Sequence, residues 1–203
     1  MVADLHRMVG DPTFRPTSPK DISNALFHTA YMGTKNSSTE TRTRARTLAS
    51  RISSHHLDID IDLIVDSFLS VFSLVTNKTP QFKVHGGSVT ENLALQNVQA
   101  RTRMVVAYLF AQLLLWTRGK NGSLLVLGSS NVDETLRGYL TKYDCSSADL
   151  NPIGGISKVD LREFIQFCSR EEGFSFLTEF IDAPPTAELE PITENYTQTD
   201  EVT

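Results

Sequence analysis

Lys158 and Glu134 stand where helices are expected to begin, and that placement suits phosphate chemistry. Lys158 follows Gly154-Gly155 and falls in the first turn opened by Ser157-Lys158-Val159-Asp160, a capping-box pattern. Backbone donors, the positive end of a helix dipole and an ammonium converge at such a place. The competing reading is a solvated lysine at a helix start, which spacing alone favours because such lysines are common. Glu134 falls in the first turn after a glycine-ended apolar run, Leu124 to Gly128, followed by Ser129, Ser130 and Asn131. Two readings stand for it. It is either a first-turn acid favoured by the dipole, or a magnesium ligand, since magnesium takes one or two carboxylates together with substrate phosphates.

Arg101 and Arg103 lie in an otherwise apolar segment. Two residues apart on a helix, they point to different sides. One faces solvent or pairs along the helix; the other can meet a carboxylate or phosphate through two parallel hydrogen bonds. Other chemistries find less support. His6, His28, His55, His56 and His85 form no metal-ligand spacing, and Cys145 has no histidine near it in sequence. Ser129-Ser130 lacks the G-x-S-x-G turn of a serine hydrolase. No Walker A and no G-x-G-x-x-G occurs.

These residues need strands and helices to position them. Ser18-Pro19-Lys20-Asp21 reads as a capping box with proline in the first turn, over a short helical turn. Residues 25–32 read as a strand that ends at Gly33. A helix follows, capped at Ser38 or Thr39, with Ala45, Leu48, Ala49 and Ile52 on one face. His56 to Ile61 alternates apolar and acidic residues, as a second strand nearer a sheet edge does. Asp62 caps the next helix. Residues 90–117 form a long helix whose buried side is expected at Leu93, Ala100, Met104, Ala107, Tyr108, Ala111 and Leu115. After the turn cluster Arg118 to Gly122 come a buried strand at 124–128, a helix over 131–140, a polar loop over 141–156 and a helix over 157–170. A short helix is expected over 174–180, and the Pro-, Thr- and Glu-rich end reads as a disordered acidic tail. Strands alternating with helices predict an α/β fold with a mostly parallel sheet, and sites in such folds lie at strand C-termini.

Composition agrees with that class. A chain of 203 residues with 40% hydrophobic and 21% charged residues suits one α/β domain. The net charge of −5 gives no general attraction to nucleic acid. No apolar run approaches the ~20 residues of a spanning helix, and the N-terminus lacks the apolar core of a secretory signal. Two cysteines, Cys145 and Cys168, make neither a disulfide framework nor a zinc site. The expectation is a cytoplasmic protein without membrane or nucleic-acid partners, in which four Asn-x-Ser/Thr sequons are chance.

Several blocks extend this reading. HTAYMGTKNSS, GGSVTENLALQNVQARTRMVVAYLFAQLL, LLVLGSSNVDETLRGYLTKYDCSSADLNPIGGISK and PPTAELEPI resemble, in the same order, the synthetase domain of the eukaryotic-type, glutamine-dependent NAD synthetases. The likeness spans roughly residues 20–200. It implies the parallel-sheet, three-layer fold of the adenine-nucleotide α-hydrolase-like (PP-loop) ATP pyrophosphatases. It divides the chain into a lead-in over 1–17, the synthetase region over 18–182, and the PTAEL segment with its tail over 183–203.

The resemblance implies an activity as well: ATP adenylates the nicotinate carboxylate of deamido-NAD, and ammonia then displaces AMP to give NAD. Ammonia comes from glutamine, through a nitrilase-like glutaminase domain in the full-length family. By the same resemblance Ser129, Lys158 and Thr186 contact ATP, Arg101, Lys142 and Asp149 contact deamido-NAD, and Glu134 binds Mg2+. A homo-oligomer is expected of the complete enzyme.

One family feature is absent from these residues. The SGG-x-D-S loop, which cradles pyrophosphate after the first strand, does not occur. The fold is therefore expected to be incomplete, lacking that strand and loop, with unpaired ladder groups beside the gap. A fragment or one piece of a split gene is the expectation, inactive alone. The alternative is a non-catalytic assembly module that keeps the nucleotide-binding fold. A related PP-loop ligase with another acceptor is a third reading, which the 128–158 series argues against.

Overall fold

Short polar caps set most of the helix starts. The computed structural model describes residues 2–171, 174–183 and 188–191, in two units that divide between Asp60 and Ile61. Thr186 lies outside the described residues.

In the first unit, helix α1 covers Val2–Val9, within what reads from sequence as an irregular lead-in. Helix α2 covers Pro19–Leu26 and opens with the expected capping box: Ser18 takes the Asp21 amide, and the Asp21 carboxylate takes the Ser18 amide at 2.9 Å. The helix runs further than a single turn, because the Phe27 amide closes it on Ser23 O at 2.8 Å. Strand β1 therefore begins at His28, not at Ala25, and covers His28–Gly33. Helix α3, Thr39–Ile52, is capped by Ser38 and ends at Ser53 in a left-handed conformation. Strand β2, His55–Asp60, pairs parallel to β1 from His28↔His55 to Gly33↔Asp60. A parallel pair needs such a crossover, so β1-α3-β2 is one βαβ unit. Asp58 anchors α3 to it through Arg46 at 2.5 Å and Arg42 at 3.5 Å.

The second unit is mostly helical. Helix α4 covers Asp62–Thr76. Its N-cap is Ile61, with no side-chain cap bond, and Asp62 is its first helical residue, contrary to the sequence reading. Val65 is buried, whereas Leu63, Phe68, Val71, Phe72 and Val75 of its apolar stripe are exposed. Helix α5 covers Val89–Thr117, opened by a second capping box of Ser88 and Glu91. Met104 and Ala111 are buried as expected, but Leu93 is half exposed at 50%.

Polar residues, not Leu93, occupy the buried side near the start of α5: Asn92, Gln99 and Thr102. They are buried because each has partners there, as a buried polar group requires. Asn92 accepts the Lys83 amide at 2.8 Å and donates to Glu190 at 2.6 Å. Gln99 donates to Leu95 O at 2.9 Å and Leu189 O at 2.8 Å. Thr102 donates to Val98 O at 2.7 Å. Leu189 and Glu190 are thus strapped to one face of α5.

The expected strand at 124–128 does not form a ladder. A single parallel bridge joins Leu127 to Leu150. Gly128 N–H donates to Leu150 O at 2.7 Å within that bridge, while the Leu124 amide goes to Ala111 O at 2.8 Å and the Val126 amide to the Asp149 carboxylate at 2.8 Å. Among the described residues the sheet therefore has two strands, order β1-β2, and the chain is helix-rich. Helix α6 is shorter than expected, Val132–Leu136, because Gly138 turns left-handed at φ 69°. Helix α7 covers Lys158–Glu171. A 3-10 turn at Ser175–Leu177 and helix α8, Thr178–Ile181, follow. No helix among the described residues is long and apolar enough to cross a membrane.

Candidate functional site

Loop 141–149 is held against α5 by two side chains seven residues apart on one helix face. Arg101 donates through Nε to Lys142 O at 2.9 Å and through Nη2 to Thr141 Oγ1 at 2.8 Å. Tyr108 donates its hydroxyl to Ser147 O at 3.1 Å and to the Asp149 carboxylate at 3.2 Å. Desolvation, with the Asp149 hydrogen bond and charge, holds that hydroxyl protonated above its ordinary 10.0. The other Asp149 oxygen takes the Val126 amide. The Lys142 ammonium lies over the Tyr143 ring, 5.0 Å from its centroid. The three residues expected to meet deamido-NAD, Arg101, Lys142 and Asp149, are thereby gathered on one loop and the helix beneath it.

Asp144 is the hub of this loop. Its carboxylate takes the Thr141 amide at 2.9 Å and the Ser146 amide at 2.8 Å. Partial burial opposes its ionisation, but the bonds from Ser146 and Thr141, with the Arg101 charge, outweigh that and hold it below its ordinary 3.8. A group with a depressed folded value contributes stability that is present above its unfolded value and is lost as pH falls through the folded one. Exchange protection of the Thr141 and Ser146 amides is therefore expected to persist down to pH 3.8 and to vanish only below it. Loss at higher pH, read by NMR, would contradict the assignment. Next to it, burial pushes the Cys145 thiol above its ordinary 9.0, Arg103 opposing and Asp144 adding. That leaves it protonated at neutral pH, a poor nucleophile.

The second cluster lies around the starts of α6 and α7. Asn131 is buried and caps α6. Its Oδ1 takes the Glu134 amide at 3.1 Å, and its Nδ2 donates to Glu134 Oε1 at 2.9 Å. The Glu134 carboxylate is thus held from one side, and among the described residues no hydrogen bond reaches Oε2. Val132 N–H donates to Ile156 O at 3.0 Å, and the Lys158 amide donates to the Asp133 carboxylate at 2.7 Å. Ser157 caps α7 by taking the Asp160 amide at 3.0 Å, and donates to the Asp160 carboxylate at 2.7 Å. The capping pattern read from sequence is therefore half formed, with the hydroxyl replacing the Ser157 amide as the returning donor. The Lys158 side chain is exposed and makes no hydrogen bond or ion pair among the described residues. Ser129 is likewise exposed.

Asn151 joins the two clusters. It donates to Ser130 O at 2.9 Å and to Ser130 Oγ at 3.0 Å. Glycines pack closely on both sides of it. A Cβ at Gly128 would stand 3.2 Å from Asn151 Cβ, and one at Gly154 would stand 2.9 Å from its amide nitrogen. Sequence reasoning missed Asn151 and Tyr108 as site residues. The i, i+7 spacing of Arg101 and Tyr108 is a signal for the latter; nothing local singles out Asn151.

This arrangement suits a magnesium-bound polyphosphate: one oriented carboxylate and, at the start of the neighbouring helix, an ammonium with no ion pair among the described residues. One protein carboxylate beside substrate phosphates is an ordinary magnesium site, so the residues present fit the ion. Among the described residues no cluster of three or more acidic, histidine or cysteine side chains stands ready to hold a metal without such a ligand.

A glutamine-dependent NAD(+) synthetase from Cytophaga hutchinsonii, a solved structure, superposes with TM-score 0.65 at 24% identity, over 85% of this chain and 26% of that one. The fold is thus a partial α/β fold of the PP-loop class. Residues 18–203 match the family described as NAD synthase, and the chain belongs to that family. The glutamine-dependent NAD(+) synthetase of Saccharomyces cerevisiae is 58% identical over 189 residues, 92% of this chain and 26% of the relative. The protein of that name from Homo sapiens is 58% identical over 99% of this chain and 29% of the relative. The chain thus spans under a third of the length of the curated relatives it matches.

Proposed function

We propose that this chain forms the acceptor and magnesium side of an ATP-dependent amidation that converts deamido-NAD to NAD. A nicotinate carboxylate oxygen attacks the α-phosphorus of ATP and pyrophosphate leaves. Ammonia then attacks the carbonyl carbon, AMP leaves with the bonding pair, and the one extra ammonia proton passes to solvent. Lys158 holds phosphate charge as pyrophosphate departs. Glu134 would hold magnesium, which neutralises the α- and β-phosphates. Ser129 and Thr186 complete the ATP contacts, and Arg101, Lys142 and Asp149 orient deamido-NAD. In the full-length family a pyrophosphate-cradling loop and a glutaminase domain complete the reaction; no such loop occurs in these 203 residues, which are therefore expected not to turn over alone.

The observation that carries this reading is that the start of α6, with its oriented Glu134 carboxylate, is joined to the start of α7, which carries Lys158. A second reading, a non-catalytic assembly module, draws on Arg101 and Asp149, which hold loop 141–149 to the protein through Lys142 O, Thr141, Tyr108 and the Val126 amide. The two are separated by replacing the matching region of the yeast relative with this chain. NAD formation from deamido-NAD, ATP-Mg and ammonia is expected from that chimaera. A folded, soluble chimaera that forms none leaves the assembly module as the answer.

A further inference from the structure

Helix α6 has only five residues, none of them buried, so packing does little to fix Glu134 relative to α7. Lys158 N–H is one of the first-turn donors that no helix satisfies internally. In this structure the Asp133 carboxylate satisfies it at 2.7 Å. Alongside runs the backbone bond from Val132 to Ile156 at 3.0 Å. Asp133 and Glu134 are adjacent in sequence but have different partners: Asn131 turns Glu134 one way, and the amide of Lys158 holds Asp133 another.

We propose that Asp133 is a positioning residue whose carboxylate ties the start of α7 to the start of α6, setting Lys158 at its working distance from Glu134. The proposal rests on the reading above, in which those two groups act on one ATP-Mg. Asp133 itself touches neither nucleotide nor metal. The chemistry requires such a tie, because an ammonium and a metal ligand that serve one triphosphate must hold their spacing, and a misplacement of about 1 Å can cost roughly 10²-fold in rate. The required property is an acceptor at that position. Asparagine supplies one at nearly the same geometry and alanine does not, which separates positioning from a direct charge effect.

Two measurements test it. In the 203-residue chain, the Lys158 amide should lose exchange protection in Asp133→Ala and keep it in Asp133→Asn, with α5 amides unchanged as the folding control. In the yeast chimaera, Asp133→Ala should raise both the KM for ATP and the magnesium concentration for half-maximal rate by about tenfold, with Asp133→Asn staying within about threefold of the parent. Unchanged Lys158 protection in Asp133→Ala overturns the tie. So does an Asp133→Asn variant as damaged as Asp133→Ala, which would mean the carboxylate acts through its charge. A parent chimaera that makes no NAD would sink the amidation reading, and the exchange experiment would still decide the tie.

Discussion

Residues 1–203 alone, supplied with deamido-NAD, ATP, magnesium and ammonia, are expected to form no NAD above the uncatalysed background, whereas the same residues within the yeast chimaera form it readily. The expectation follows from charge. Adenylation expels pyrophosphate, and the negative charge that develops must meet preorganised donors on both sides. In the proposed reaction, Lys158 and magnesium held by Glu134 would supply one side. The other needs a glycine-rich turn of backbone amides after a strand, and no SGG-x-D-S segment occurs in these residues. Losing a single preorganised donor commonly costs about 10²–10³-fold, and here a whole cradle is lacking. Product release followed by coupled assay reads the result. Sustained turnover by the isolated chain, above that of a Lys158→Ala control, would show that the 203 residues carry a complete pyrophosphate site.

Local chemistry explains which elements could be read from sequence. The α2 capping box is written in four consecutive residues, Ser18 to Asp21, and forms as read. The β1-α3-β2 unit follows from alternation and a serine cap, and its parallel register is observed. The 124–128 strand fails for a nonlocal reason. Its apolar run states a preference, but a ladder needs a neighbouring strand, and beyond the one bridge to Leu150 its amides go to Ala111 and the Asp149 carboxylate. The burial of α5 misleads for a related reason. Leu93 is apolar yet half exposed, while Asn92 and Gln99 go inside because distant residues 83, 189 and 190 satisfy them.

The site divides along the same line. Residue type and helix-start position sufficed to single out Glu134 and Lys158, since capping and the dipole act within a turn. Family likeness, not spacing, pointed to Lys142, Asp149 and Thr186. The residues that hold those groups in place were invisible for a different reason. Asn151 works through Ser130, twenty-one residues away, and Asp133 through the Lys158 amide, twenty-five residues away. Nothing in a local window reports either partnership.

Lys158→Ala in the active chimaera is expected to lower kcat/KM by about 2–4 kcal/mol, roughly 30- to 1,000-fold. The side chain is exposed and free of ion pairs among the described residues, and its helix is capped by Ser157 through backbone and Asp160 contacts that the substitution leaves intact. Thermal stability should therefore stay within the small range typical of surface changes, about 0.5 kcal/mol. That separation is the useful part of the experiment. A structural lysine would lower stability and activity together; a phosphate-holding lysine lowers activity alone. If the ammonium acts chiefly on the departing pyrophosphate, kcat falls more than KM for ATP rises, because the interaction is stronger in the transition state than in the bound substrate. Lys158→Arg should recover only part of the loss, since a planar fork cannot reproduce a compact point charge. Parent rates in Lys158→Ala would remove Lys158 from the site, and with it the pairing with Glu134 on which the proposed amidation is built.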